Sequence, residues 1–262
     1  MPLINLGSIK LPLYGLCIVA GLLSGGAICK SLCERLQKNY YDFIIVAAIV
    51  TAFGFVFAKL LYLLTAFPVS SFFRVLAVMV TNPIKSGLMS SGFVFYGGLI
   101  GGVLGYVAGI KIARTSFRDF LNIFAFVIPY IHAWGRVGCF CAGCCYGIPY
   151  EGPLAVHYSN PVSDVACGPG IFPVQILEAL LLFAFAFSVL VLLLHKKELS
   201  FFPIYLLYYS VVRFALEYLR ADKGRGFVGP LSVSQFISIF VFIISLTIVM
   251  LNLFWHFKRM HS

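Results

Sequence analysis

The stretch VQILEALLLFAFAFSVLVLLL, Val174 to Leu194, decides the fold. Its apolar residues run without a break, and Glu178 is its only ionisable side chain. A membrane barrel strand would alternate apolar and polar residues, so a continuous run excludes it. Lipid offers no water to backbone N–H and C=O groups, which leaves the α-helix as the structure that satisfies them within one segment. Such a helix needs about 20 residues to cross the bilayer core.

The rest of the chain has the same character. Of its 262 residues, 61% are hydrophobic and 11% charged, with a mean hydropathy of +0.99. Soluble domains carry about a quarter charged residues. The chain lacks the polar surface to cover itself in water and reads as an all-α, polytopic membrane protein, a single transmembrane domain over residues 1–262. Apolar runs at 11–30, 42–66, 93–113, 119–135, 174–194, 201–219 and 232–254 predict about seven crossings. The first run lacks an A-x-A-like cleavage site and is expected to stay as a helix. Loops are expected near 68–92, with a short interfacial helix, and near 136–172.

Basic residues orient the helices. One set of loops holds Lys30, Arg35, Lys38, Lys111, Arg114, Arg118, Lys196, Lys197, Lys258 and Arg259. The opposite set holds Lys10, Arg74, Lys85, Arg136, Arg220, Lys223 and Arg225. The richer set is expected to be cytoplasmic, which puts the N-terminus outside and the C-terminus inside. The formal charge of +10 suits anionic lipid surfaces. A nucleic-acid role is not expected, because the charge is split between two faces.

Polar residues gather in the outer half of the spans. Tyr14, Tyr96, Arg136, Gln175, Glu178, Arg213, Glu217, Arg220, Ser232 and Gln235 all fall there. Arg213, Glu217 and Arg220 share one helix face by their spacing, and so do Gln175 and Glu178. Intramembrane charges usually face a cavity or one another. Each has a plainer reading. Tyr14 and Tyr96 suit interfacial aromatics; Arg220, Lys223 and Arg225 suit headgroup contacts; Glu217 suits a counter-charge to Arg213; Lys59 suits snorkelling. Arg136 resists such a reading. It lies in GRVGCFCAGCCYG, residues 135–147, where Gly135 and Gly138 suggest close backbone approach or an irregular turn at membrane depth. A guanidinium there suits phosphate, through paired hydrogen bonds. Arg136 and Arg213 together read as a lipid-phosphate site open to the outer leaflet, with carboxylates and amides holding them in place.

The ordered pieces LYGL, YGGLIGG, GRVGCFCAGCCYG, FPVQILEA, RFALEYLRAD and GPLSVSQFIS span almost the whole chain. In these pieces the sequence resembles the prolipoprotein diacylglyceryl transferase family. The resemblance implies a multi-pass enzyme of the bacterial inner membrane. Such an enzyme moves a diacylglyceryl group from phosphatidylglycerol to the lipobox cysteine thiol of a preprolipoprotein, releasing glycerol phosphate. It implies no cofactor and no metal. Arg136 and Arg213 match the family's essential arginines. Tyr14, Gly138, Gly147, Gln175, Glu178, Glu217 and Gln235 match residues that line its site, and Arg220 is expected to join them.

The family signature Gly-Arg-x-Gly-Asn-Phe-x-Asn-x-Glu-x-x-Gly is kept only in part. Cys139 and Ala142 stand for its asparagines, Cys144 for its glutamate, and Tyr96-Gly97-Gly98 for its His-Gly-Gly. Cys139, Cys144, Gly97 and Gly98 are therefore expected at the substrate. A phenol titrating near 10 is a poor base at neutral pH, so Tyr96 or Glu178 is expected to take the proton. The four thiols of the signature admit several roles: small apolar packing, a disulfide or redox function with Cys167 on an oxidising face, metal binding through Cys141-x-x-Cys144 with Cys139, Cys145 and His157 nearby, or a thiol in the chemistry. Two other functions stay open. One is the same donor with another acceptor; the other is a transport or thiol-redox protein on the same frame.

Overall fold

The structure is a computed structural model and describes residues 3–6, 9–82, 95–159, 168–195, 199–221 and 226–260. Each apolar run forms a helix: α1 (Leu13–Arg35), α2 (Tyr40–Ala66), α4 (Phe95–Ile112), α5 (Leu121–Ala142), α6 (Val174–Leu194), α7 (Phe201–Leu216) and α8 (Val233–Met260). Among the described residues, α1, α2, α5, α6 and α8 are long and apolar enough to cross a membrane. Helices α4 and α7 are shorter, and a 3-10 turn, Glu217–Leu219, extends α7. The expected helix face of Arg213, Glu217 and Arg220 is corrected: Arg220, at φ −100° and ψ 143°, is extended and bridges Gly147 instead. A short helix, α3 (Phe72–Thr81), forms in the expected place after α2. Residues 83–94 of that loop lie outside the described residues.

Among the described residues, two small antiparallel ribbons accompany the helices. β1 (Leu3–Leu6) pairs with β2 (Ile9–Pro12), and β3 (Phe227–Val228) pairs with β4 (Leu231–Ser232). The first helix therefore starts at Leu13 and not at residue 11. Pro12, at φ −70° and ψ 125°, is extended and precedes the first helical turn.

The chain divides into two units, Gln37–Phe120 and the remainder. In the first, α4 lies on α2 along Gly97, Gly101, Gly105 and Gly109. A Cβ at Gly97 or Gly101 would overlap the carbonyl oxygens of Phe57 and Phe53. At Gly105 and Gly109 it would come within 2.9 Å of Val50 Cα and 3.1 Å of Val46 Cα. Helices in lipid lack a hydrophobic force to bring them together, and small residues in register let backbones touch instead. At the chain-terminal edge of this unit Lys38 pairs with Asp119, and Phe43 meets Phe120 edge-on.

In the second unit α5 is the central helix, packed on α1, α6 and α7. Its buried face includes Ile123, Phe126, Tyr130, Ala133 and Gly138. A Cβ at Gly21 of α1 would press into the Trp134 side chain, and Tyr130 Oη donates to Ser24 Oγ at 3.0 Å. At the far end Asn122 accepts from Phe201 N–H at 2.8 Å and donates to the Leu199 carbonyl at 2.9 Å. Arg35 donates to the Leu194 carbonyl at 2.7 and 3.0 Å.

The expected helix end at residue 135 is corrected. Helix α5 continues to Ala142 and carries Arg136 and Cys139 on it. Gly138 serves close approach, since a Cβ there would lie 2.9 Å from Tyr14 Cδ2. The reversal comes at Gly143, φ +70°. Its N–H donates to the Phe140 carbonyl at 3.2 Å, and Cys144 N–H to the Cys139 carbonyl at 3.1 Å. These two bonds form a Schellman motif, whose left-handed residue favours glycine. The following loop folds back in bridges Gly147–Arg220, Pro149–Ile171 and Val156–Ile171, around Tyr146 and Ile171.

Candidate functional site

The C-terminal ends of α5 and α7 and the N-terminal ends of α1, α6 and α8 meet at one end of the second unit. Among the described residues, six ionisable side chains gather there: His132, Arg136, Glu178, Tyr209, Arg213 and Glu217. Glu178, 1% exposed, stands one turn into α6. Its Oε2 meets Arg136 Nε at 3.0 Å. Its Oε1 accepts from Tyr209 Oη at 2.9 Å and lies 3.8 Å from His132 Nε2. On α7, Arg213 Nη2 meets Glu217 Oε2 at 2.9 Å and donates to Ser234 Oγ of α8 at 3.0 Å. Arg213 also acts electrostatically on both His132 and Glu178. The two expected arginines therefore enter one cluster from separate helices, Arg136 paired with Glu178 and Arg213 with Glu217.

Four polar atoms in this cluster are buried without a hydrogen-bond partner among the described residues; Arg136 Nε and Glu217 Oε2 are held by ion pairs, and Arg213 Nη1 and Gln175 Oε1 are in none of these ion pairs. An unsatisfied buried donor costs about 1–3 kcal/mol, more when charged. A bound anion would satisfy the guanidinium.

The other expected site residues fall around this core with more local tasks. Gln175 Nε2 donates to the Cys144 carbonyl at 2.9 Å, pinning the turn after α5. The Tyr14 ring covers Gly138. Gly147 is buried, and a Cβ there would overlap the Phe172 carbonyl; it bridges to Arg220, which is itself buried. Gln235 Oε1 accepts from Ser232 N–H at 3.0 Å while Ser232 Oγ accepts from Gln235 N–H at 3.2 Å. This reciprocal pair is a capping box at the start of α8, which positions Ser234 beside Arg213.

Tyr96, Gly97 and Gly98 belong to the other unit. Gly97 is buried against α2. Gly98 lines a shallow apolar groove with Thr51, Gly54, Phe55 and Ala58.

The signature thiols separate into two groups. The Sγ atoms of Cys139, Cys144 and Cys145 all lie within 4.8 Å of one another. The expected Cys141-x-x-Cys144 pair does not form, because Cys141 turns to the Cys17 thiol of α1. His157 instead contacts the Gly168 carbonyl at 2.7 Å. All seven described cysteines are free thiols; Cys167 lies outside the described residues. Hydrogen bonds from the Cys139 and Cys144 thiols, with the charges of Arg136 and Arg220, hold the Cys145 thiol well below the ordinary range against the effect of burial. Burial, together with the nearby Cys141, Cys144 and Cys139 thiols, pushes the Tyr158 phenol up to about 12; its Oη donates to the Phe140 carbonyl at 2.7 Å.

His132 and Tyr209 escape the sequence reading. Both stand four residues before an expected arginine, His132 before Arg136 and Tyr209 before Arg213. That spacing puts each on the arginine's helix face, and it is the one signal that points to them. The His132 ring also meets Tyr209 edge-on, with centroids 5.3 Å apart.

Residues 2–251 match the family described as prolipoprotein diacylglyceryl transferase. A phosphatidylglycerol–prolipoprotein diacylglyceryl transferase of Clostridium tetani is 32% identical over 257 residues, covering 96% of this chain and 97% of the relative. The second such transferase of Clostridium perfringens is 33% identical, covering 88% of this chain and 90% of the relative. One from Bacillus cytotoxicus is 28% identical, covering 95% and 90%. With a family match over nearly its whole length and a relative 32% identical over 96% of it, the chain belongs to the prolipoprotein diacylglyceryl transferase family.

Proposed function

We propose that this protein transfers the diacylglyceryl group of phosphatidylglycerol to the lipobox cysteine thiol of a preprolipoprotein at the extracytoplasmic face of a bacterial inner membrane. The observation that carries the reading is the convergence of Arg136 and Arg213 beside Glu178, with Arg213 Nη1 left without an acceptor. Phosphatidylglycerol enters from the outer leaflet, and its phosphodiester oxygens take the guanidinium donors. The acceptor sulfur attacks the glycerol carbon bonded to the phosphate oxygen. A C–S bond forms, that C–O bond breaks, and glycerol phosphate leaves with the electron pair. The arginines stabilise the charge that grows on the leaving phosphate.

The attacking thiol must give up a proton. Glu178 is committed to Arg136 and Tyr209. His132 keeps 31% of its side chain exposed while facing Glu178, so His132 is the proton acceptor and Glu178 the group that steadies the imidazolium. Cys139 and Cys144, Tyr14, Gln175 and Arg220 shape the donor pocket around this core.

The test uses purified protein, labelled phosphatidylglycerol and a lipobox peptide, with the thioether product and glycerol phosphate both measured. Arg136→Ala and Arg213→Ala should abolish both products while the protein still elutes as a folded species. Full activity in both variants would remove the phosphate site. Lipid cleavage with no peptide thioether would mean another acceptor.

A further inference from the structure

We propose that the Cys139, Cys144 and Cys145 sulfurs form a binding site for one thiophilic d10 metal cation, of the Zn2+ and Cd2+ class. All three sulfurs already lie within 4.8 Å of one another. Zinc–thiolate bonds of about 2.3 Å place tetrahedral sulfurs about 3.8 Å apart, so the thiols need close by at most about 1 Å. A cysteine side chain supplies that by rotation about one bond.

The backbone builds the cluster and the reacting arginines do not. The Schellman turn stacks Cys144 over Cys139, three residues inside the helix end. Left-handed backbone at Cys145, φ +55°, brings the third thiol back towards the first two. Gln175 holds the turn through the Cys144 carbonyl, and the Gly147–Arg220 bridge holds the chain two residues beyond Cys145. Fixing three ligands in advance removes much of the ordering cost of binding.

The donor set defines the ligand class. Three soft sulfurs with no carboxylate or imidazole among them select d10 cations over Mg2+ or Ca2+. Three thiolates and a dication leave one negative charge, and Arg136 and Arg220 act on these thiols to offset it. Each thiol that binds as thiolate gives its proton to solvent, and no electron is exchanged. A water molecule or a substrate atom completes the fourth position, as at open zinc sites.

The test is titration of the reduced, metal-stripped full-length protein in detergent with Cd2+. A sulfur-to-cadmium charge-transfer band should appear and saturate at one Cd2+ per chain. In the same wild-type protein, Cd2+ should protect Cys139, Cys144 and Cys145 from maleimide, read residue by residue by mass spectrometry, and leave Cys141 reactive. The Cys141→Ser variant should keep the band, and Cys139→Ser/Cys144→Ser/Cys145→Ser should lose it. Absence of the band in wild type, protection falling equally on Cys141, or a band that survives the triple substitution would each overturn the proposal. None of these readouts uses lipid transfer, so a failure here and a failure of the proposed reaction are told apart.

Discussion

Glu178 shows how much one residue can organise. It is fully buried on α6, yet Arg136, Tyr209 and His132 all reach it. Removing one partner of a buried ion pair leaves a charge with neither solvent nor counter-ion and costs about 3–5 kcal/mol. Glu178→Ala is therefore expected to lower stability by that amount in a detergent melt, with transfer lost as well. Arg136→Lys separates charge from shape. The ammonium keeps the attraction to Glu178 but lacks the planar fork, so kcat is expected to fall about 10²–10³-fold while the melting temperature moves little. His132→Asn should lower the maximal rate while leaving the KM for phosphatidylglycerol unchanged. An unchanged maximal rate would point to a different proton acceptor. At this scale the arginines were legible because intramembrane charges are expensive and rare. His132 and Tyr209 were not, because a histidine or tyrosine in a greasy helix has many cheaper explanations.

At the scale of elements, two devices make distinct demands. The α2–α4 contact leaves no room for a side chain at Gly101, while nothing lies within 4 Å of a Cβ at Gly102 on the next position. Gly101→Leu should reduce the yield of folded protein from membranes, and Gly102→Ala should leave it unchanged. The pair is a control on packing as opposed to helix propensity. The Schellman turn makes a conformational demand. Gly143→Ala puts a Cβ into left-handed backbone, at about 1–2 kcal/mol, and should weaken Cd2+ binding by displacing Cys144 from Cys139. Outside the helices, Asp119 has its carboxyl held below the ordinary range. Burial pushes it up, but the Lys38 bond and the Ser116 N–H prevail. A depressed carboxyl stabilises the fold above its unfolded value and loses that contribution as pH falls through the folded one. Both side chains are partly exposed, 36% and 24%, so the effect is within about 1 kcal/mol. The helix positions themselves were readable to within a few residues. The end of α5 was not, because glycines at 135 and 138 look alike in sequence whether they break a helix or let another one approach.

For the molecule as a whole, the orientation across the membrane has a direct assay. The loop after α5 and the turn before it belong on opposite faces by the distribution of lysine and arginine. Leu154, 84% exposed, reports on one face and Arg118 on the other. In intact cells a Leu154→Cys variant should react with a membrane-impermeant maleimide, and an Arg118→Cys variant only after permeabilisation. The reverse pattern would put the arginine cluster on the cytoplasmic side, away from secreted preproteins.

The sequence alone determined the membrane class, the helical runs and the arginines within them. Each of these follows from a local rule: a segment in lipid must satisfy its own backbone bonds and cannot carry idle charge. Only the tertiary structure decided that Arg136 pairs with Glu178 of α6, that Arg213 meets Ser234 of α8, and that three of the four signature thiols meet while Cys141 turns away. Those pairings join segments far apart in the chain, or depend on the one turn at which a helix stops. Packing sets both, and packing is not a property of any single stretch of residues.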